Sequence, residues 1–294
     1  MRKPNLFIVG APRCGTTSLW RWLKAHPEIF MSAEKELFFF DSDLRANGTK
    51  TPSLKQYLRH FSAAGDAKKV GEATASYLRS QRAPRAIKAF NAGAQIIIML
   101  RNPVDVMYSL YGSALYGLEP ITDFETALAA DARRGDRERI GYCEFTDFPE
   151  QVQRYLDLFG RESVHTIIFD DLNQDPAAVY QNTLAFLGVR LGFNPEFVVM
   201  SANESVRNIR LQRALVHPPR ALRSIGATLV PSGLRSRIRR ALLNCNLEVK
   251  ARPPMDPELR KRLQREFEPK VEQLSKLLGR DLSEWHKDPN GERD

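Results

Sequence analysis

Short unbroken apolar runs alternate with amphipathic stretches along much of this chain. Asn5-Leu-Phe-Ile-Val9 is a continuous run closed by Gly10, the pattern of a strand buried on both faces of a parallel sheet. Leu19, Trp20 and Leu23 then recur at near-helical spacing between Thr16 and Ala25, giving strand, glycine turn and helix in succession. Gln95–Leu100 is a second buried run, entered through Gly93 and followed by Arg101-Asn-Pro103. A proline suits the first turn of a helix, so the pattern predicts a helix from about Pro103 into the Tyr108–Leu115 region. Val164–Phe169 is a third strand. The helix before it, about Pro149–Phe159, lines up Val152, Tyr155, Leu156 and Phe159, and the one after it, Pro176–Leu187, lines up Val179, Leu184 and Leu187 before Gly188. A charged amphipathic helix runs from about Pro257 to Leu278, ends at Gly279, and leads to a polar tail from His286 onward. Strands alternating with helices predict the α/β class: a central parallel sheet flanked by helices on both faces.

Composition adds constraints. At 294 residues and 43% hydrophobic content the chain has material for one large core, so the expectation is a single domain over 1–294 with insertions. A net charge of +9 favours an anionic partner: a nucleotide, an acidic glycan, nucleic acid or a membrane surface. Between Glu204 and Glu248 there is no acidic residue, while Arg207, Arg210, Arg213, Arg235 and Arg240 are among the arginines there. This basic segment, about 205–250, reads as broken helices and loops forming a basic cover over the mouth of a site; its stretch 207–240 suits an acidic glycan, an anionic lipid surface or plain solvation alike. No RNA-binding aromatic motif or helix-turn-helix accompanies it, which disfavours nucleic acid. Three widely spaced cysteines, Cys14, Cys143 and Cys245, indicate neither a zinc site nor a disulfide framework, and the histidines show no metal-ligand spacing. That cysteine usage makes a reducing cytoplasm the expected location, and the apolar stretch Leu6–Val9 is too short for a signal-peptide core or a membrane span.

Gly10-Ala-Pro-Arg13-Cys-Gly15-Thr16-Thr17-Ser18 lies between the first strand and the first helix, where backbone N–H groups and the helix dipole make an anion site. The glycine spacing is that of a nucleotide P-loop, and the fold expectation becomes P-loop-like. The lysine that should follow the second glycine is missing, because Thr16 stands there; the positive charge has moved to Arg13. Cys14, beside Arg13 at a helix N-terminus, is expected to have a lowered thiol pKa but to serve through its backbone N–H and its small side chain. Arg101 falls at the carboxyl end of the second run, where ligands of open α/β sheets bind, and Ser109 follows on the next helix. An arginine fork with a hydroxyl suits a phosphomonoester; the plainer alternative is an arginine paired with a nearby carboxylate. Asp170-Asp171 reads as a turn cap or an arginine partner rather than a metal site, and Trp20 and Trp22 read as core residues before adenine contacts.

Arg13-Cys-Gly-Thr-Thr-Ser18 resembles the 5′-phosphosulfate loop of sulfotransferases that use 3′-phosphoadenosine 5′-phosphosulfate (PAPS), and Ile98–Pro103 through Ser109 resembles their 3′-phosphate motif. Lys35-Glu36-Leu-Phe-Phe-Phe-Asp41, Gly71-Glu72-Ala-Thr74-Ala-Ser-Tyr77 and Gly279–Trp285 are similar to segments of the branch that contains the heparan sulfate enzymes and many bacterial relatives. The resemblance touches most of the chain and is loose over 122–141 and 206–251.

The resemblance implies a PAPS-dependent transfer of a sulfuryl group to an acceptor hydroxyl of a carbohydrate, lipid or small alcohol, with no metal required. It assigns Arg13 to the place of the family's catalytic lysine, Cys14, Gly15, Thr16, Thr17 and Ser18 to the 5′-phosphate, Arg101 and Ser109 to the 3′-phosphate, and Glu36 to general-base work on the acceptor. Arg13 for lysine leaves electrostatic stabilisation but not proton donation. Phe38 stands where some relatives have histidine and Ala73 where some have lysine, so the acceptor side differs from that of a heparan sulfate enzyme. Two other readings stay open: a P-loop small-molecule kinase, which would want a lysine at Thr16, and a non-catalytic nucleotide-binding protein.

Overall fold

The computed structural model describes residues 2–45, 51–115, 119–135, 140–198 and 253–287, with 204–206, 215, 242 and 246–249. The arginine-rich stretch 207–240, Leu215 apart, and the tail beyond residue 287 lie outside the described residues. The chain divides into two compact units, one from Met1–Val106, Cys143–Met200 and Lys261–Asp294, the other from Met107–Tyr142 and Ser201–Arg260.

The first unit is built on strands β1 (Leu6–Gly10), β2 (Ile29–Met31), β3 (Lys69–Ala73), β4 (Gln95–Leu100) and β5 (Val164–Ile168). They form one sheet in the order β2-β3-β1-β4-β5, and every pairing is parallel. Successive residues of a strand point to opposite faces, so a strand buried at every position is covered on both sides. Leu6, Phe7, Ile8 and Val9 of β1 and Ile96–Leu100 of β4 have no exposed surface, which requires flanking layers on both faces. Helices supply those layers; the helices of the chain include α1 (Thr16–Ala25), α2 (Leu54–Arg59), α3 (Ala83–Phe90), α4 (Pro103–Ala114), α5 (Phe124–Asp131), α6 (Phe148–Phe159), α7 (Phe169–Gln174), α8 (Pro176–Leu187) and α9 (Pro257–Leu278), of which α5, the part of α4 from Met107 on and the first residues of α9, Pro257–Arg260, belong to the second unit. The expected P-loop-like α/β architecture is present, with every sequence-expected element within a residue or so of its place.

The pattern missed β2, β3, α2, α3, α5 and α7. β2 has only three residues, and β3 carries Glu72 in its middle, which breaks the apolar run. That carboxyl is fully buried because Tyr57 and Thr74 donate to its two oxygens at 2.5 and 2.7 Å. α2 starts on a reciprocal cap in which Ser53 and Gln56 each accept the other's backbone N–H.

The C-terminal residues of the first unit close over the end of β4. Trp285, 5% exposed, donates its indole N–H to Asp170 at 2.7 Å, and its carbonyl accepts from Asn102 at 2.8 Å and Gln264 at 3.2 Å. Arg280 pairs with both oxygens of Asp171, so this acidic pair holds the C-terminal segment. In the second unit, Arg134 grips the buried Glu119 through both terminal nitrogens at 2.7 and 2.8 Å, and Asp131 accepts the amides of Ile140 and Gly141 at 2.7 and 2.9 Å. Strands β6 (Glu204–Val206) and β7 (Leu247–Val249) pair antiparallel there.

Candidate functional site

Because the five strands run parallel, their carboxyl ends share one edge, and the segments that follow β1 to β5 gather along it. The order reverses direction at β1, whose next strands lie on the β3 side and whose other neighbour is β4. Such a switch point leaves a crevice beyond the strand ends. The glycine loop leaves β1 on one side of it, and Arg101 leaves β4 on the other.

The loop is held tightly. Ala11 donates to the carbonyl of Met99 on β4 at 2.7 Å. Gly10 has φ 154°, and a Cβ on it would stand 2.5 Å from Cβ of Leu78; Gly15 has φ 87°, and a Cβ there would stand 2.7 Å from Cδ2 of Leu172. Neither position accepts a side chain. Arg13 is left-handed at φ 65°, a conformation that costs a non-glycine residue about 1–2 kcal/mol. Gly15 stands at the N-cap of α1 and has no side chain with which to bond the first turn; backbone amides at the positive end of a helix suit an anion. Thr16 and Ser18 are buried on α1.

Cys14 departs from expectation. Burial pushes its thiol up to about 12, outweighing the attraction of Arg101 and Arg13. With no exposed surface and Sγ 3.5 Å from the carbonyl of Pro12, it is a small apolar filler.

Lys35 is the residue that the motif reading gave no task. Its ammonium donates to Thr17 Oγ1 at 2.8 Å and Thr16 Oγ1 at 3.2 Å and lies 3.7 Å from Glu36 Oε1. The lysine absent from the loop is thus replaced in space by one from the segment after β2. Nothing local in the sequence signals this approach, because Arg13 already accounts for the loop charge and a Glu34-Lys35-Glu36 run is compatible with a solvated face.

Glu36 is half-buried, with 35% of its side chain exposed, and accepts the amide hydrogen of Ala75 at 3.1 Å. Burial raises its pKa above the ordinary value, opposed by Lys35 and the Ala75 amide. Its segment continues along β3: the amides of Ser32 and Glu36 bond to the carbonyls of Gly71 and Ala73, each at 2.8 Å. Leu37 then donates to Thr74 Oγ1 at 3.1 Å and Phe39 to Tyr77 Oη at 2.9 Å. Thr74 and Tyr77 both bond to Glu72, so this buried carboxyl organises the turn on which Glu36 hangs. Burial pushes Glu72 up to about 7. Phe39 stacks on Tyr57 at 4.1 Å and Phe40 packs edge-on to Phe7, while Phe38 is 45% exposed.

Arg101 stands at the crevice edge. Its guanidinium lies 4.7 Å from the ring centre of Phe169, the residue after β5, and 3.7 Å from Asp105 in the first turn of α4. The Phe169 ring also abuts Gly15, lying 3.3 Å from the position of a Cβ there, so it connects the loop to Arg101. Ser109 is buried farther along α4, in the second unit. Trp22 is buried, edge-on to Phe197 at 5.1 Å, and Lys24 lies over Trp20 at 4.9 Å. Among the described residues no group of three or more His, Cys, Asp or Glu is gathered for a metal ion, and no helix is long and apolar enough to cross a membrane.

A parallel α/β sheet with a glycine loop at its switch point is a P-loop-like architecture, and comparison with known proteins specifies the family. Residues 3–276 match the sulfotransferase domain family, and the chain belongs to it. It is similar to the crystal structure of a sulfotransferase from Alicyclobacillus acidocaldarius, with a TM-score of 0.76 and 28% identity over 98% of this chain and 100% of that one. The membrane-associated sulfotransferase kil1 of Dictyostelium discoideum is 32% identical over 120 residues, 40% of this chain and 24% of that protein. The bifunctional heparan sulfate N-deacetylase/N-sulfotransferase 1 of Mus musculus is 27% identical over 201 residues, 64% of this chain and 22% of that protein. The chain thus spans less than a quarter of the length of these two relatives.

Proposed function

We propose that this sulfotransferase takes its sulfuryl group from PAPS and passes it to a hydroxyl of a carbohydrate, lipid or small alcohol. What supports this reading is the pair of cationic positions flanking the switch point, the loop with Arg13 and Lys35 on one side and Arg101 on the other, bridged by Phe169. A bisphosphorylated adenosine presents two separated anions, and this donor set fits both. Loop amides with the hydroxyls of Thr16 and Thr17 bind the 5′ end, and the Arg101 fork binds the 3′-phosphate.

Glu36 takes the proton of the acceptor hydroxyl. Its raised pKa suits that task, because a base poised nearer neutrality accepts a proton more readily. Arg13 stabilises the charge that develops on the departing phosphate. PAPS itself supplies the activated sulfur–oxygen bond. An amine acceptor is the second reading, favoured by the N-sulfotransferase named among the relatives.

Thermal shift tests the nucleotide: adenosine 3′,5′-bisphosphate (PAP) should stabilise the protein more than ADP with magnesium. The reverse preference would favour a kinase and sink the proposal. Incubation with labelled PAPS and a cell extract, followed by mass spectrometry, then identifies the acceptor and whether oxygen or nitrogen carries the new group.

A further inference from the structure

Lys35 occupies an electrostatically uncomfortable place. A cation beside the N-terminal end of a helix opposes the macrodipole, and here Arg13 belongs to the same loop. The side chain is 15% exposed, so water screens it little. Burial lowers its pKa, and the attraction of Glu36 opposes that shift. Among the described residues it meets two threonine hydroxyls and one carboxylate at 3.7 Å. An anion seated on the loop would turn this arrangement from a conflict into a clamp.

We infer that Lys35 is a catalytic residue: its ammonium donates to the oxygen that bridges sulfur and the 5′-phosphorus, doing from the β2 side what the loop cannot do from Thr16. This rests on the PAPS reading above and deepens it. In the step, the acceptor oxygen forms a bond to sulfur as the bond from sulfur to the bridging oxygen breaks. The electron pair of the broken bond stays on that oxygen, which leaves as part of PAP; the acceptor proton goes to Glu36, and Lys35 keeps its own proton.

Adjacency adds a coupling. While Lys35 leans on Glu36 it favours the ionised carboxylate and weakens it as a base. As charge grows on the leaving oxygen the ammonium is drawn there, and Glu36 becomes more basic as the acceptor proton must move. Neighbouring residues 35 and 36 thereby link the leaving-group and acceptor halves of the reaction.

The test uses PAPS with water as acceptor, following PAP release in single turnovers, with PAP affinity measured separately by calorimetry. Lys35→Ala should slow release by about 10²-fold while PAP affinity falls far less. Lys35→Arg should keep part of the rate, and added methylammonium should restore part of it to Lys35→Ala. The acid limb of the pH–rate profile should move upward in Lys35→Ala, because Glu36 loses its cation. Lys35→Met, which keeps the length of the side chain, guards against a folding defect and should behave like the alanine variant. A wild-type rate in Lys35→Met, or a rate loss that follows PAP affinity with neither amine rescue nor a moved acid limb, overturns the inference. A wild-type protein that neither binds PAP nor releases it from PAPS overturns the PAPS reading itself, and the inference with it.

Discussion

The carboxylate of Glu36 is tethered to the amide of Ala75 at 3.1 Å, so the proposed base is fixed to the turn that leaves β3. Glu36 and Phe38 both adopt left-handed conformations, at φ 57° and 49°. Such strain persists only when surrounding bonds over-determine the backbone. Here the amides of Leu37 and Phe39 provide them through Thr74 and Tyr77.

Glu36→Gln keeps an oxygen for the Ala75 amide but cannot take a proton. Turnover should fall by about 10²–10⁴-fold with PAP affinity almost unchanged. In the wild type the rate should rise with pH through the Glu36 ionisation, above the ordinary carboxylate value of 4.5, and that limb should vanish in the variant. A pH–rate profile for each protein checks both points, and unchanged turnover would remove Glu36 from the mechanism.

Arg101→Ala should weaken PAP by about 1.5–3 kcal/mol, the range for a hydrogen bond to a charged group. Adenosine 5′-monophosphate, which lacks the 3′-phosphate, should bind the variant and the wild type alike. Calorimetric titration with the two nucleotides separates a 3′-phosphate contact from general loosening of the crevice.

Glu72 gives a signed pH dependence of stability. Its folded-state pKa, about 7 against an ordinary 4.5, means that the folded protein holds a proton that the unfolded chain releases earlier. The associated stability is present below the unfolded value and is lost as pH rises through that window, on the order of 3 kcal/mol in all. Urea unfolding between about pH 5 and about pH 8 should show this decline in the wild type and a smaller one in Glu72→Gln.

Trp285→Ala empties a buried indole site and should cost about 3–5 kcal/mol. Trp285→Phe retains most of the packing and loses the bond to the exposed Asp170, about 1 kcal/mol. Since Asn102 bonds to the carbonyl of Trp285 and caps α4 through Val104, the alanine variant should also weaken PAP. Denaturant melts and PAP titration of the two variants check the order.

The sheet was legible wherever apolar runs were unbroken: β1, β4 and β5 announce themselves. β3 did not, because a strand with a buried carboxyl looks polar until Tyr57 and Thr74, distant or local donors, are known to satisfy it. The two phosphate motifs could be read because glycine spacing and a strand-end arginine are local signals. The approach of Lys35 to Thr16 and Thr17 spans 19 and 18 residues of chain and depends on the β2–β3–β1 pairing, which no local pattern encodes. The thiol of Cys14 differs from its local pattern for a related reason: the helix end and arginines are visible in the sequence, whereas complete burial is a property of the assembled fold.

That burial makes Cys14 a sealed indicator. A thiol that retains its proton to about pH 12 offers neither thiolate nor access to electrophiles at neutral pH. Alkylation at this position therefore requires the glycine loop to lift from β4, and peptide mapping after timed exposure to iodoacetamide would count those openings. The exposed Cys143 in the same chain supplies an internal clock for the unhindered reaction, and any nucleotide that clamps the loop should lengthen the interval between the two.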